Sequence, residues 1–204
     1  MRMPRILVLI AVAVLASGLP ARSASHATER EFEKARDAYL RKDYVRAEKY
    51  LRALTESAPD FQFAHLYLGH SLFYQGKYKE AVPSYERARD LGAKSGTMTQ
   101  DEERLLNDQL GMAYGLSGHL DRSKALFEEA IKKDPAYPMY YYNLGCVYAE
   151  LDQIDPALSN LKEGYARRGR MLGEEKYPNP RTDESFKKYL GNEKFEAAMK
   201  EMGY

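Results

Sequence analysis

The stretch LGHSLFYQGKYKEA, residues 68–81, has the apolar spacing of an amphipathic helix but carries two glycines. An interior glycine costs a helix about 0.5–1 kcal/mol relative to alanine, so Gly69 and Gly76 are unexpected on helix propensity alone. The stretch recurs downstream as LGMAYGLSGHLDRS at 110–123 and as LGCVYAELDQIDPA at 144–157. The recurrence indicates that these glycines have a structural role.

The copies follow a fixed period of about 34 residues, which is the interval from Gly111 to Gly145. The position one period before Gly69 is Ala35, within an earlier copy at 34–47. The interval from Gly69 to Gly111 is longer than one period by the insertion at 96–103. A period of this length indicates stacked supersecondary units that share a continuous core.

The repeated positions resemble the tetratricopeptide repeat family. The pattern of that family is a leucine–glycine pair, an aromatic residue three positions later, and then an alanine, an aromatic residue and a proline in a second helix. The chain carries four copies of this pattern in register, at Ala35, Tyr44, Ala47, Leu51 and Pro59; at Leu68, Gly69, Leu72, Gly76, Tyr78, Ala81 and Tyr85; at Leu110, Gly111, Tyr114, Phe127 and Pro135; and at Leu144, Gly145, Tyr148 and Ala157. It departs from the pattern at His65, Ala93, Ser123 and Gly169. The resemblance implies an all-α fold, a right-handed superhelix of about four helix–turn–helix repeats.

The resemblance also divides the chain into segments. It places the repeat region at residues 26–169, with repeats at about 28–61, 62–95, 104–137 and 138–169 and an insertion at 96–103. Thr99 and Glu102 in the insertion have the spacing of a capping box, so the first helix of the third repeat should begin early.

The residues after the last repeat, 170–204, should form capping helices, with Asn192 as a helix N-cap. The last repeat of a stacked array leaves an apolar face that must be covered, here formed by Leu158, Leu161 and Tyr165. The expected cover consists of Phe186, Leu190, Phe195 and Met199.

Small residues should allow the two helices of a repeat to touch. The expected facing pairs are Gly69 with Ala81 and Gly145 with Ala157. Gly76 and Gly118 fall where the first helix of a repeat must end, and glycine adopts the left-handed conformation of such a turn without steric cost.

Residues 1–25 have a different composition from the repeats. Two arginines precede an apolar run at 6–16, which is followed by small residues that include Ser23 and Ser25 at the spacing of a signal-peptidase site. We predict a secretory signal peptide at 1–25 and an exported protein, periplasmic or secreted. The alternative is an uncleaved membrane anchor through residues 6–19, and membrane contact is expected only in that case.

The charge balance and the single cysteine restrict the class of protein. Removing residues 1–25 takes three arginines from the 31 basic residues and nothing from the 30 acidic residues, which leaves a net charge of −2. A chain with this balance is not expected to bind nucleic acid. Cys146 has no intrachain partner, so the core alone must stabilise the exported chain. Its expected role is a small packed hydrophobe, with a reactive thiol as the alternative.

A second apolar stripe on the first helices predicts a binding groove. Phe63, Leu66, His70 and Phe73 share a helical face that is separate from the stripe that packs inside the repeat. The resemblance implies that this face lines a concave surface, and the equivalent positions are Phe32, Arg36 and Tyr39; Leu105, Asp108, Met112 and Leu116; and Met139 and Tyr142. An aromatic groove with few charges suits an extended or helical segment of a partner protein. The alternative is that these side chains pack between adjacent first helices.

No motif for catalysis or for a cofactor accompanies the repeats. His65 and His70 are five residues apart and point away from each other on a helix, so they do not form a metal-binding pair. The sequence contains no phosphate-binding loop, nucleophile elbow or paired cysteines. We therefore expect no enzyme, no metal and no small-molecule cofactor, and the remaining alternative is an unrecognised site assembled from distant residues.

The leading hypothesis is a non-enzymatic, exported adaptor or assembly factor that binds a protein or peptide. A self-associating structural protein of the envelope is the alternative. The sequence leaves the oligomeric state open.

Overall fold

The computed structural model describes residues 25–96 and 98–204, and all regular secondary structure in this part of the chain is helical. The all-α prediction is confirmed, whereas the predicted signal peptide or anchor lies outside the described residues apart from Ser25. The α-helices are α1 (His26–Leu40), α2 (Tyr44–Ser57), α3 (Gln62–Tyr74), α4 (Tyr78–Ser95), α5 (Gln100–Leu116), α6 (Leu120–Lys133), α7 (Pro138–Glu150), α8 (Ile154–Ala166) and α9 (Glu193–Glu201). The described part of the chain also contains 3-10 helices at Arg168–Arg170, Pro180–Thr182 and Glu184–Tyr189. None of the helices described here has the length and apolar character needed to cross a membrane.

The chain divides within α5 into two compact units. Unit one ends at Ala113 and contains α1–α4 and most of α5, and unit two comprises Tyr114–Tyr204. Within unit one, α1 packs on α2, α2 on α3 and α3 on α4. Within unit two, α6 packs on α7 and α7 on α8, and the segment after α8 packs on both α7 and α8.

Local hydrogen bonds explain where two of the helices begin. The backbone N–H of Thr99 donates to the Glu102 carboxylate at 2.8 Å, and the N–H of Glu102 donates to the Thr99 hydroxyl at 3.3 Å. This capping box confirms the prediction, and α5 starts at Gln100. The side chain of Asn192 accepts from two backbone N–H groups in the first turn of α9, so the predicted N-cap is also confirmed.

The turns between paired helices contain one left-handed residue each. Gly76 and Gly118 have φ values of 77° and 88°, as expected for glycines at these turns. The equivalent residues of the first and fourth repeats are not glycines: Lys42 has a φ of 62° and Asp152 a φ of 60°. A left-handed non-glycine residue carries a steric cost of about 1–2 kcal/mol, which the surrounding turn must offset.

The two glycine contacts differ from each other. A Cβ placed on Gly145 would lie 3.2 Å from the carbonyl oxygen of Ala157, which confirms that these residues face each other. A Cβ placed on Gly69 would lie 2.7 Å from the ring of Tyr85. The three atoms nearest to that position all belong to the Tyr85 ring, one turn further along α4 than Ala81, so the contact of Gly69 with Ala81 stays a prediction.

The segment after α8 contributes to the core of unit two. Phe186, Phe195 and Met199 are completely buried in one cluster that includes Leu158 and Leu161. Leu190 is 49% exposed, so its predicted role in covering the last repeat is wrong. The residue follows the final turn of a 3-10 helix and precedes the left-handed Gly191, which leaves its side chain outside the cluster.

Candidate functional site

The structure places most of the predicted groove residues in side-chain packing. Eight of the thirteen are buried, namely Phe32, Tyr39, Leu66, His70, Leu105, Asp108, Met139 and Tyr142. The other five are half-buried, namely Arg36, Phe63, Phe73, Met112 and Leu116. The expectation of an open groove along the whole stripe is therefore corrected: its larger part is packed, which was the alternative interpretation of the stripe.

Aromatic side chains form the contact between α1 and α3 in unit one. The ring of Phe32 meets the rings of Phe61 and Tyr67 edge to face, at centroid distances of 5.2 Å, and that of Phe63 at 6.2 Å. Tyr39 contacts Tyr67 in the same geometry at 5.1 Å. Such pairs contribute about 0.5–1.5 kcal/mol each beyond the area they bury. Phe32 and Tyr39 therefore join two successive helix pairs and are not free to hold a ligand.

His70 belongs to a buried hydrogen-bond network that links α3, α4 and α5 within unit one. Its Nδ1 atom lies 2.9 Å from the hydroxyl of Tyr85, and that hydroxyl donates to Oε1 of Gln109 at 3.5 Å. Burial lowers the pKa of His70 to about 4, so the imidazole is neutral at physiological pH. His70 therefore satisfies a buried polar contact and offers no charge to a partner.

The accessible part of the stripe in unit one comprises four half-buried side chains, which we call the unit-one face: Arg36, Phe63, Phe73 and Met112. The guanidinium of Arg36 pairs with the Glu33 carboxylate at 2.6 Å and keeps 31% of its side chain exposed. Phe73 packs edge to face on Tyr78 at 5.1 Å. Aromatic side chains held by neighbouring rings and an arginine held by a carboxylate are pre-ordered groups, which lose little conformational entropy when they contact a partner.

The stripe of α7 is covered by the chain itself. The hydroxyl of Tyr142 donates to the Asp183 carboxylate at 2.8 Å, and its ring contacts the rings of Tyr177 and Phe186 at 5.4 and 6.4 Å. The thiol of Cys146 lies 3.8 Å from the same carboxylate. The prediction that Tyr142 lines an open groove is wrong, because residues after α8 occupy that face. Met139 likewise lies in the core cluster of unit two.

Two residues that anchor this segment, Tyr177 and Asp183, were missed in the sequence. The hydroxyl of Tyr177 donates to the carbonyl of Leu161 at 2.9 Å, and the same hydroxyl would clash with any Cβ at Gly164. Asp183 is 3% exposed and caps a 3-10 helix by accepting from the backbone N–H of Ser185 at 2.9 Å. An aromatic residue within a proline-rich connector, together with an unexplained glycine inside α8, could have indicated this contact.

In the part of the chain that the structure describes, the arrangement of possible metal ligands and the state of the single cysteine bear on the sequence-based expectations. No group of three or more His, Cys, Asp or Glu side chains among them is arranged to hold a metal ion. Burial raises the pKa of the Cys146 thiol well above its ordinary value, so the group stays protonated. Its environment fits the interpretation of a small packed hydrophobe.

Family models of the tetratricopeptide repeat match three regions of the chain, at residues 32–96, 106–137 and 126–158. Among curated proteins, a probable UDP-N-acetylglucosamine–peptide N-acetylglucosaminyltransferase SPINDLY of Hordeum vulgare is 33% identical over 85 residues. That match covers 42% of this chain and only 9% of the relative. It therefore concerns a small region of a much longer protein.

Solved structures of MamA resemble this chain in fold. MamA from Desulfovibrio magneticus RS-1 superimposes with a TM-score of 0.60 at 20% identity, covering 70% of this chain and 77% of that protein. Another crystal structure of MamA gives a TM-score of 0.60 at 19% identity, with 70% and 73% of the two chains covered. At this level of identity the likeness concerns the fold alone.

Proposed function

This chain belongs to the tetratricopeptide repeat family, and from that premise we propose that it is a non-enzymatic module that binds a segment of a partner protein. Repeats of this family form a protein-interaction scaffold, and the described residues contain no arrangement suited to metal chemistry. The proposed role is that of an adaptor or assembly factor.

The observation that supports this proposal is the unit-one face. Phe63 and Phe73 are only half-buried although each contacts other aromatic rings, and Arg36 adds a partly exposed cation on the same stripe. Aromatic and arginine side chains dominate the binding energy of protein interfaces, where truncating one commonly costs about 2 kcal/mol or more. We place the contact with the partner on this face of unit one.

Export is a second part of the proposal. It rests on residues 1–25, where two arginines, an apolar run and small residues have the order of a secretory signal. The partner would then be a protein of the envelope or of the exterior, and the absence of a disulfide partner for Cys146 leaves the packed core to stabilise the exported chain.

Capture of partners from the native envelope fraction tests the proposal. The full chain serves as bait in three forms: the unchanged protein, a Phe63→Ala/Phe73→Ala variant, and a Tyr50→Ala control. Tyr50 is 37% exposed on α2 and lies outside the unit-one face, so its replacement removes an accessible aromatic ring without changing that face. We expect the double variant to lose at least tenfold in capture while the control retains it.

Thermal unfolding of each bait separates lost binding from lost folding. Leu68→Ala provides the comparison for a core defect, because Leu68 is 5% exposed and core truncations cost about 2–5 kcal/mol. If the double variant unfolds as readily as Leu68→Ala, Phe63 and Phe73 are core residues and the unit-one face is not the binding surface. If it keeps its stability and captures the same partners as the unchanged chain, the partner binds elsewhere.

A further inference from the structure

Exposed apolar residues in unit one concentrate around the turns between paired helices. Leu40 ends α1 and is 50% exposed, Val45 is the second residue of α2 and is 69% exposed, and Tyr74 ends α3 and is 38% exposed. The ring of Tyr44, at the start of α2, stacks on Tyr74 with a centroid distance of 4.9 Å and an angle of 17°. This stacked pair joins the α1–α2 turn to the end of α3 and leaves an aromatic surface at the edge of unit one.

The carboxylates along this edge are already paired. Asp37 contacts Arg41 at 3.0 Å, and Asp43 contacts Arg46 at 3.3 Å while also accepting from the backbone N–H of Arg46. Each of these two carboxylates is thus paired with an arginine three or four residues later in the chain. The two carboxylates therefore contribute little net negative charge to this edge.

The carboxylate of Glu48 accepts three hydrogen bonds from side chains of unit one. It accepts from Arg52, Gln75 and Lys77 at 2.8 Å each. Burial raises the pKa of Glu48, but these hydrogen bonds outweigh that effect and lower it to about 2. The charge of the Glu48 carboxylate is therefore already paired with side chains of unit one.

Two lysines at the same edge have no acidic partner within 4 Å among the residues that the structure describes. Lys42 is the left-handed residue of the α1–α2 turn, and Lys79 lies in the first turn of α4, beside the Tyr78 ring that packs on Phe73. Both are exposed. The unbalanced charge at this edge is therefore positive.

The equivalent position in unit two shows what a side chain at this turn can reach. Asp152, like Lys42, is a left-handed non-glycine residue, and its carboxylate pairs at 2.5 Å with Lys188 of the segment that lies on α7. A charged residue at this turn can thus hold an oppositely charged residue of a docked segment. Lys42 presents the opposite charge in unit one.

We propose that these residues form a second docking surface, the turn patch, which binds an acidic segment of a partner protein through an aromatic or aliphatic anchor. The turn patch consists of Leu40, Lys42, Tyr44, Tyr74 and Lys79. The anchor packs on the stacked tyrosines, and acidic residues on either side of it pair with the two lysines. This inference rests on the proposed interaction function and adds a surface that adjoins the unit-one face, since the ring of Tyr74 meets that of Phe73 at a centroid distance of 6.0 Å.

A protein segment fits the turn patch better than an anionic membrane does. Segments that hold proteins at anionic membranes carry clusters of about four to eight basic residues, whereas the turn patch offers two lysines. The stacked tyrosines instead provide a defined site for one apolar side chain. A membrane remains a measurable alternative outcome.

Selection from a displayed library of random dodecapeptides, with the full chain as the target, tests the proposal. We expect enriched peptides that carry Asp or Glu on both sides of an aromatic or aliphatic residue. Their affinity should fall about tenfold for a Lys42→Gly/Lys79→Gln variant. Lys42→Gly introduces the residue found at the equivalent turns of the second and third repeats, so this change does not strain the fold.

The matched control is Lys49→Gln/Lys94→Gln, which removes the same charge from two exposed lysines outside the turn patch. An equal loss of affinity in both variants would show only general attraction and would overturn the proposal. Enrichment of basic or uncharged peptides, or failure to enrich any peptide, would also overturn the proposal. Binding to vesicles of phosphatidylglycerol and phosphatidylcholine without peptide binding would overturn it as well. Peptides that lose affinity with Phe63→Ala/Phe73→Ala but not with the lysine variant would overturn the turn patch and leave the proposed function standing.

Discussion

Replacing Gly164 by alanine should destabilise unit two, although alanine is the better helix former. A Cβ at this position would lie 2.9 Å from the carbonyl oxygen of Pro138 and 3.0 Å from Cε2 of Tyr177, and it would overlap the Tyr177 hydroxyl. The hydroxyl cannot move without losing its hydrogen bond to the carbonyl of Leu161. The rings of Tyr142 and Tyr165 confine the Tyr177 ring on two sides, at 5.4 and 5.9 Å.

Three contributions set the size of this effect. Overpacking costs about 1–3 kcal/mol, and loss of the tyrosine hydrogen bond costs about 0.5–1.5 kcal/mol. The change from glycine to alanine within α8 returns about 0.5–1 kcal/mol. The unfolding free energy should therefore fall by about 2 kcal/mol, which corresponds to a decrease in Tm of about 4–8 °C for a chain of this size.

Urea and thermal unfolding followed by far-ultraviolet circular dichroism measure this change. Gly169→Ala is the matched control, because nothing lies within 4 Å of a Cβ at Gly169. Adding Tyr177→Phe removes the hydroxyl that the new methyl group meets, so Gly164→Ala should cost less in that background than in the unchanged chain. A Gly164→Ala protein as stable as the Gly169→Ala control would refute the contact between Tyr177 and α8.

Three further predictions concern other parts of the chain. N-terminal sequencing of the exported protein should begin near Ala24 or His26, whereas an intact Met1 in the membrane fraction would favour the anchor. Because burial lowers the pKa of His70 to about 4, the unfolded chain binds one more proton between pH 6.5 and 4, and stability should fall by about 3 kcal/mol as the pH decreases through this range. Urea titrations at several pH values measure that slope, which should flatten in His70→Gln; an unchanged slope would contradict the assignment. Because Cys146 is buried and protonated, it should react with a thiol reagent at least a hundredfold more slowly in the folded chain than in urea. Rapid reaction in the folded chain would show that the segment over α7 opens easily.

The repeat pattern predicts the fold because it constrains many positions at once. The fixed period identifies the repeat family, and glycine chemistry identifies the left-handed turns at Gly76 and Gly118. Capping residues such as Thr99 and Asn192 depend only on neighbours within three residues, so their roles can also be predicted from the sequence.

The candidate site is less predictable because burial depends on residues far apart in the chain. Helical spacing places Tyr142 on the stripe, but it gives no information on whether Asp183, 41 residues later, covers that stripe. The same spacing does not separate the packed Phe32 from the half-buried Phe63, since the rings of the two residues contact each other in one cluster. The stacking of Tyr44 on Tyr74 is likewise a contact between repeats that no local motif encodes.

The segment that covers α7 indicates which chemistry this repeat surface accepts. It contributes an aromatic ring from Tyr177 and a carboxylate from Asp183, and both contact Tyr142. Because these groups belong to the same chain, their contact with α7 costs no entropy of association. They therefore already occupy this face of unit two. A partner must therefore bind side chains that the chain leaves uncovered, which in unit one include those of the unit-one face and of the turn patch. An aromatic ring and a carboxylate are thus the two groups that the chain itself brings to Tyr142 of α7, and we expect the same two groups in a ligand of unit one.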